Sequence, residues 1–396
     1  MESDSRSDDD EPAGSALLEP PKPGRGQQFT LKTSIPPGVE LENCMFVRTR
    51  EAMIVNRDEI RFSTGSHHVL LYMTPYEEIP TEDLSGAAID TSGVFDCSDG
   101  VQGFFDVAGL VGVSQNATGR SAISFPEGVG VRVPANTVLL FNVHYVNPTD
   151  DTLEPEVAVN LHSISEEELE QEGGLLFWYN PFLKVPARGR STMTSNCPVP
   201  SDIKLTNVQS HMHRRGVDYR STLISPDGDR DEIYTSRNWS DVEVAEFSPS
   251  LEIRGGSRLE WSCDYMNSED HDIYQGARST DEMCMLIGSY YPADPVIGYC
   301  MRDEQAFLGA EWTIGQGTSS CGQSLDCLSA VSDPSPTTVA FGAEEKSQTA
   351  RITDCLLASK PAVASQLSAA VGCLAIAGEA GAEECAAEIE ACVGAP

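Results

Sequence analysis

The chain has 396 residues, of which 61 are acidic and 26 are basic, so the formal net charge is 26 − 61 = −35. This acid excess argues against a nucleic-acid partner, whose phosphates require Lys and Arg, and against an anionic membrane surface. The length allows two or three domains, and a hydrophobic content of 40% is that of a folded protein. Twelve cysteines, an even number, fit an oxidising compartment in which disulfides persist.

Residues 1–26 are acidic and rich in Pro and Gly, with neither a positively charged start nor an apolar run. They predict a disordered, solvated tail and not a signal peptide. Because cytosolic proteins rarely carry stable disulfides, we expect an exported protein (secreted, periplasmic or at the cell surface) whose signal segment is not in this sequence. No apolar stretch reaches the roughly 18 residues of a transmembrane helix, so no membrane span is expected.

Short strands are predicted in two consecutive blocks, residues 27–163 and 164–309. Segments rich in β-branched and aromatic residues alternate with Pro, Gly and Asn turn signals, and the clearest strands are residues 69–72, 131–133 and 138–145. Residues 166–172 and the following Gly173-Gly174 indicate a loop between domains or an exposed helical turn. Few segments show a long 3.6-residue period. The predicted fold class is therefore mainly β, with two consecutive β-sandwich domains.

Residues 310–396 have a different composition and are predicted to form a Cys-rich tail. Residues 321–327 read as a small polar loop, and residues 333–338 as a linker. The Ala-rich stretch from Ala350 predicts helix, which Gly378 and Gly381 would break into a hairpin. Four cysteines in this stretch suggest two helices clamped by disulfides, with three connectivities left open: Cys355, Cys373, Cys385 and Cys392.

Five of the seven histidines fall into three short segments: His67-His68, His144 and His211-Met212-His213. Residues two apart on a strand share a face, so His211 and His213 can offer two imidazoles to one metal. Adjacent residues point to opposite faces, so His67 and His68 can share a metal only near a strand end, with His144 as an obvious third donor. This clustering favours metal binding.

The remaining candidates are weaker when taken alone. His162 and His271 belong to no cluster, and we expect them to be solvated or satisfied side chains. Met283 would usually be core filler. A thioether beside two imidazoles would nevertheless suit a soft ion such as Cu(I).

The ordered set of His67-His68, His144, His211-Met212-His213 and Glu282-Met283-Cys284 resembles the copper type II, ascorbate-dependent monooxygenases. This family includes dopamine β-hydroxylase and the peptidylglycine α-hydroxylating monooxygenase, and the resemblance covers roughly residues 28–308. It implies two jelly-roll β-sandwich domains, one copper on each, facing across a wet cleft. It also implies three disulfides: Cys44–Cys97, Cys197–Cys300 and Cys263–Cys284.

By position, the resemblance implies two copper ions as cofactors. His67, His68 and His144 would hold the electron-transfer copper, and His211, His213 and Met283 the catalytic copper at which oxygen binds. The implied reaction takes two electrons from ascorbate or a similar donor and uses O2 to hydroxylate a C–H bond of a small organic substrate. The protein would supply ligand geometry and a shaped pocket.

The resemblance is weaker at the positions where the peptide-amidating branch binds a substrate carboxylate. The Arg of that branch is Gln209 here, and its Asn and Tyr are Met285 and Ile287, so no cation remains for bidentate pairing. Peptide amidation is therefore not expected. Met285 and Ile287 would make the pocket floor apolar, which indicates a hydrophobic substrate, although plain core packing explains them equally well.

We therefore expect an exported copper monooxygenase. Two other functional classes stay open: a non-catalytic copper-binding protein for storage, delivery or sensing, and a structural or adhesive surface protein that binds its partner through residues 310–396. The sequence gives no substrate identity, physiological reductant or oligomeric state.

Overall fold

The structure, a computed structural model, describes residues 18–98, 101, 105–116, 118–294, 297–298, 300, 314–332, 348–377 and 381–395. Within these ranges the protein is mainly β, with a short helical region at its C-terminal end, which confirms the predicted class. The jelly-roll detail and the predicted domain boundaries stay predictions. The expected linker at residues 333–338 and the expected break at Gly378 lie outside the described residues.

The first eleven strands form a six-stranded sheet, in the order β1-β10-β3-β8-β11 with β7 also paired to β3, and a five-stranded sheet, in the order β5-β2-β9-β4-β6. Their bounds are β1 Gly26–Lys32, β2 Glu40–Arg48, β3 Met53–Phe62, β4 Ser66–Met73, β5 Phe95–Asp96, β6 Gly109–Ser114, β7 Arg120–Ser124, β8 Val129–Val133, β9 Val138–Val146, β10 Glu156–Ile164 and β11 Gln171–Glu172. We call this part the first half.

The next ten strands form two four-stranded sheets, in the orders β12-β21-β15-β18 and β14-β19-β16-β17, and the two-stranded β13-β20. Their bounds are β12 Gly174–Tyr179, β13 Lys184–Val185, β14 Arg190–Val199, β15 Ile203–Met212, β16 Gly216–Ile224, β17 Arg230–Ser236, β18 Ala245–Ile253, β19 Ser257–Met266, β20 Ile273–Tyr274 and β21 Cys284–Tyr291. We call this part the second half.

Each half has its own apolar core, which joins side chains from its two main sheets. Strand alternation explains the first core. On β9, Leu139, Phe141 and Val143 belong to it, whereas Leu140 and His144 lie on the opposite face. Because β9 is buried along almost its whole length, both of its faces must be covered by other parts of the protein.

A third apolar cluster covers the second face of β9 and joins the two halves. Phe46 and Leu140 come from the first half, and Phe177, Met285 and Ile287 come from strands β12 and β21 of the second. The ring of Phe177 meets that of Tyr72 edge to face at 6.1 Å. The faces of the two halves that meet in this cluster also carry the predicted metal ligands.

Two expectations for the connecting segments need correction. Residues 18–25 of the predicted disordered tail contact the first sheet, because Gln28 Nε2 donates to the Leu18 carbonyl and Asn160 Nδ2 to the Glu19 carbonyl. Residues 166–172 form a turn followed by β11, which pairs in parallel with β8, and not a helical turn. Arg132 bonds the carboxylates of Glu166 and Glu172 and so ties this segment to β8.

The C-terminal region contains five α-helices and one 3₁₀-helix in its described parts. Their bounds are α1 Cys321–Ser332, α2 Gln348–Leu357, the 3₁₀-helix Pro361–Val363, α3 Ala364–Ala377, α4 Gly381–Glu384 and α5 Ala386–Val393. The expected polar loop at residues 321–327 is therefore wrong, because these residues begin α1. The first helix of the predicted hairpin, from Ala350, ends early at Leu357, because Pro361 lacks the N–H that would continue it.

Six disulfides are present, and the described residues include no free cysteine. In the two halves they join Cys44–Cys97, Cys197–Cys300 and Cys263–Cys284, the same pairs that the resemblance implies. In the C-terminal region they join Cys321–Cys392, Cys327–Cys355 and Cys373–Cys385. The expectation of two helices clamped to each other is thus too simple, since two of these three bonds lead back to α1.

Among the described residues, no helix is both long and apolar enough to cross a membrane.

Candidate metal centre

The His67-His68 pair lies at the start of β4, which pairs with β9. The register between these strands shifts between Ser66 and His68, and His68 then lies opposite His144. An irregularity of this kind turns side chains away from strict alternation. It explains how two adjacent histidines reach one side of the sheet, which the sequence allows only near a strand end.

His67, His68 and His144 form the first candidate site. One ring nitrogen of each lies within 4.8 Å of the others. The Nδ1 atoms of His67 and His68 are 3.4 Å apart, a separation that suits two donors to one ion at metal–nitrogen distances of about 2 Å. The ring of Trp239, from the second half, lies 5.4 Å from that of His67.

Glu40 determines which nitrogen of His144 faces this site. His144 Nε2–H donates to Glu40 Oε1 at 2.9 Å, and the buried Nδ1 has no hydrogen-bond partner. Glu40 also accepts from Ser279 of the second half, from its N–H at 2.6 Å and its hydroxyl at 2.7 Å. Burial alone would raise the pKa of Glu40, but these hydrogen bonds outweigh it and hold the pKa at about 2.

The second candidate site lies where β15 ends and β21 begins. In the register of these strands, His211 is opposite Met285 and Met212 is opposite Cys284, so His213 follows on beside Met283. The rings of His211 and His213 are 5.1 Å apart. The structure therefore brings His211 and His213 together, and Met283, just before β21, lines the same cavity as His211.

Met283 is fixed on both sides along the chain. The hydroxyl of Tyr265 donates to the Met283 carbonyl at 2.6 Å, and Cys284 is bonded to Cys263. Glu282, fully buried, accepts from the N–H groups of His213 and Arg215 at 3.0 and 2.7 Å. Burial raises the pKa of Glu282 to about 7. Glu282 therefore connects the segment that carries Met283 to the segment that carries His211 and His213.

Hydrogen bonds also assign the ring nitrogens of the second set. Gln115 Nε2 donates to the Trp239 carbonyl at 2.7 Å, so its Oε1 accepts from His211 Nδ1–H. His213 Nδ1–H donates to the Asp281 carbonyl at 3.2 Å. The Nε2 atoms are then free to bind a metal, and that of His213 is buried without a hydrogen-bond partner.

Burial favours the neutral form of His67, His68, His211 and His213, which is the form that binds metal. It lowers the pKa of His67 to about 4 and that of His213 to about 3, and it lowers the pKa values of His68 and His211 well below their usual range. An unpaired ring nitrogen inside a protein is costly unless something binds it. The orphaned Nδ1 of His144 and Nε2 of His213 therefore fit metal ligation, and the buried Nε2 of His67 is unpaired as well.

The two sets of histidines are in contact, which differs from the expected wet cleft. The rings of His68, from the first set, and His211, from the second, are 5.6 Å apart. The physical reason is that three contacts hold the halves closed here: the apolar cluster between them, the Glu40–Ser279 pair, and Gln115.

A cavity of about 380 Å³ lies between the halves and is bordered by His68, His211 and Met283. Much of its lining is apolar: Leu70, Tyr72, Phe177, Met285 and Ile287. Its polar lining includes Glu42, Asn142 and Gln209, and none of the lining residues in the described ranges is Lys or Arg. The positions that we expected to form an apolar floor thus face the cavity.

Sequence reasoning missed four residues that shape the centre, namely Glu40, Gln115, Trp239 and Ser279. Each acts across the boundary between strands or halves, and no local motif marks such a partner. His162 and His271 lie apart from the centre, as expected. His162 Nε2 pairs with Glu59, and His271 is exposed beside Glu269 and Asp270.

The arrangement is that of a protein with two adjacent sets of soft metal donors beside one cavity. Residues 175–307 match the model of the copper type II ascorbate-dependent monooxygenase, C-terminal domain. A human protein named "Putative DBH-like monooxygenase protein 2" is 24% identical over 264 residues, which cover 60% of this chain and 49% of that protein. Both comparisons support the resemblance of this chain to the copper type II ascorbate-dependent monooxygenase family.

The chain spans about half the length of this curated relative. Among solved structures, the major capsid protein P2 from bacteriophage PM2 matches with a TM-score of 0.28 and 10% identity, over 67% of this chain and 97% of that one. A TM-score this low does not establish a shared fold.

Proposed function

We propose that this protein is an exported copper monooxygenase that hydroxylates a C–H bond of a small, largely apolar organic molecule. It would use O2 and ascorbate or a similar one-electron donor. The observation that carries the proposal is an orphaned ring nitrogen in each of two donor sets, His144 Nδ1 and His213 Nε2, beside one shared cavity. A copper protein used only for carriage would need one set and no cavity.

We propose His67, His68 and His144 as ligands of one copper and His211, His213 and Met283 as ligands of the other. When bound, copper supplies one-electron redox chemistry and activates oxygen. The chain itself positions the donors: Glu40, Gln115 and the Asp281 carbonyl each hold one imidazole by its other nitrogen. Imidazole and thioether donors suit copper better than Mg or Ca.

The cavity supplies substrate binding and the exclusion of water. Its apolar wall of Phe177, Met285 and Ile287 would bind the body of the substrate next to Met283. Because no cationic side chain lines it within the described residues, a substrate carboxylate would have no partner and would be costly to bury. Peptide amidation is therefore disfavoured. Glu42, Asn142 and Gln209 would orient polar groups of the substrate.

Export is supported by the six disulfides and remains part of this proposal.

The test is oxygen uptake with ascorbate after the chain is loaded with two equivalents of copper. A broad panel of benzylic amines, phenols and lipids serves as substrates, and carboxylate-ended analogues of the same size serve as matched controls. We expect copper-dependent uptake that uncharged apolar members stimulate and carboxylates do not. If no member of the panel stimulates uptake while both coppers are bound, the enzyme assignment is wrong and the copper-carrier alternative gains.

A further inference from the structure

Among the described residues that line the cavity, one belongs to neither half. Thr349 lies in the first turn of helix α2 and lines the same cavity as Met283 and Met285. Thr349 is also exposed, so it stands where the cavity meets solvent. Nothing in the sequence pattern of the C-terminal region suggests contact with the centre.

Polar contacts fix α2 against the second half close to the cavity. Asp354 of α2 accepts from Lys184 Nζ at 2.8 Å and from the Tyr274 hydroxyl at 3.2 Å. Lys184 also pairs with Asp272 at 3.0 Å. Gln275, which directly follows Tyr274, lines the cavity. The same contact that anchors α2 therefore borders the cavity wall.

Apolar packing and disulfides hold the helices in this position. Leu357 of α2 and Val371 of α3 pack against the core of the second half. The Cys327–Cys355 bond ties α2 to α1, and the Cys321–Cys392 bond ties α1 to α5. The Leu357 carbonyl also accepts from the Gln316 N–H at 2.9 Å. Three independent kinds of contact thus keep Thr349 at one place.

We propose that the disulfide-bonded helices form a wall of the substrate cavity, and that Thr349 at its mouth is a specificity-determining residue. Its small side chain sets how large an apolar substrate can enter beside Met283. The binding of a substrate in this cavity rests on the proposed function. The role of the helices in limiting access to the cavity does not rest on it.

The test compares Thr349→Trp with Gln348→Trp in the full-length chain kept in EDTA. Both positions are exposed in the first turn of α2, but only Thr349 lines the cavity. The probe is chloramine-T, a bulky aromatic oxidant that converts Met to its sulfoxide. Peptide mass spectrometry follows Met285, which lines the cavity and is 5% exposed, against Met266, which is 48% exposed and outside it.

We expect Thr349→Trp to slow Met285 oxidation relative to Met266 severalfold, Gln348→Trp to leave the ratio unchanged, and Thr349→Ala to raise it. Equal ratios in all variants would overturn the proposal. Thr349 accepts from the Thr353 hydroxyl only through its backbone carbonyl, so these substitutions leave that bond in place.

A second measurement separates this proposal from the proposed function. In the copper-loaded chain, Thr349→Trp is expected to raise KM for the longer members of a 4-alkylphenol series severalfold, with kcat for the shortest member unchanged. If the parent chain turns over no substrate, the proposed function is wrong. The ratio of Met285 to Met266 oxidation then still tests whether the helices form a wall of the cavity. If the parent chain turns over substrate, and Thr349→Trp changes neither KM nor the ratio of Met285 to Met266 oxidation, the proposal that the helices form a wall is wrong.

Discussion

At the scale of single residues, the metal-facing nitrogen of three of the five histidines is set by the bond that the opposite ring nitrogen makes. His144 is held by a carboxylate, His211 by a carboxamide and His213 by a backbone carbonyl. Such partners fix both the tautomer and the orientation of a ligand. Glu40 also contacts the second half, through Ser279, just as Gln115 of the first half bonds His211 of the second. The first site is therefore coupled to the closure of the halves by one side chain.

Replacement of Glu40 tests this positioning role. We expect Glu40→Ala to weaken Cu(I) binding at the first site by roughly 10–100-fold, because His144 loses the acceptor of its Nε2–H. A Cu(I) competition titration measures the affinity of each site. Glu59→Ala is the matched control, since Glu59 makes a similar 3.1 Å contact with His162, outside the centre. Equal affinities in the two variants would show that Glu40 does not position His144.

At the scale of the elements, the sequence predicted the strands but not their irregularities. The β-branched residues of β4, β8 and β9 marked these strands correctly, and the His-X-His spacing correctly placed His211 and His213 on one side. The shifted register before His68 depends on pairing with β9, which no local pattern encodes. Helix α1 was missed because its stability depends on Cys321 and Cys327 bonding to distant residues.

Another connection between elements gives a pH prediction. Asp58 of β3 is buried and accepts from the N–H groups of Val113 on β6 and Ile123 on β7, so it links two sheets. Burial raises its pKa from the ordinary 3.8 to about 7. Between these values the folded state holds a proton that the unfolded state releases. The stability that this proton gives is complete below about pH 4 and is lost as the pH rises to 7.

We expect the free energy of unfolding of the parent chain to fall between pH 5 and pH 8 by roughly 2–3 kcal/mol more than that of Asp58→Asn. The carboxamide in this variant keeps one acceptor oxygen but cannot titrate. Urea unfolding at both pH values measures the difference, and the comparison cancels the other titrating groups. A parallel pH dependence in both proteins would contradict the assignment.

At the scale of the whole molecule, the two halves meet through an apolar cluster that brings both donor sets together. The resemblance implied separate sites across a cleft, and the sequence could not predict closure, because Met285 and Ile287 read equally well as a pocket floor and as core residues. In the described part of the C-terminal region, Thr349 is the residue of the helices that lines the cavity, and no motif marks it. Features that depend on long-range packing therefore could not be predicted from the sequence.

The closed arrangement predicts magnetic interaction between the two metals. With His68 and His211 in ring contact, we expect the chain loaded with two Cu(II) ions to show dipolar broadening in its electron paramagnetic resonance spectrum. His213→Ala, which removes a ligand from the second set only, should give an unbroadened spectrum of the first site. A spectrum of the parent that equals the sum of two isolated sites would contradict closure in solution.

The central claim is that two copper sites exist and that Met283 belongs to the second. X-ray absorption of the Cu(I)-loaded chain tests it most directly, with the bound copper counted in the same samples. We predict two coppers per chain and a sulfur scatterer that Met283→Ala removes, while copper stays bound at His67, His68 and His144. Met285→Ala, a neighbouring cavity residue, should keep the sulfur signal. One copper per chain, or sulfur scattering that persists in Met283→Ala, would contradict the account.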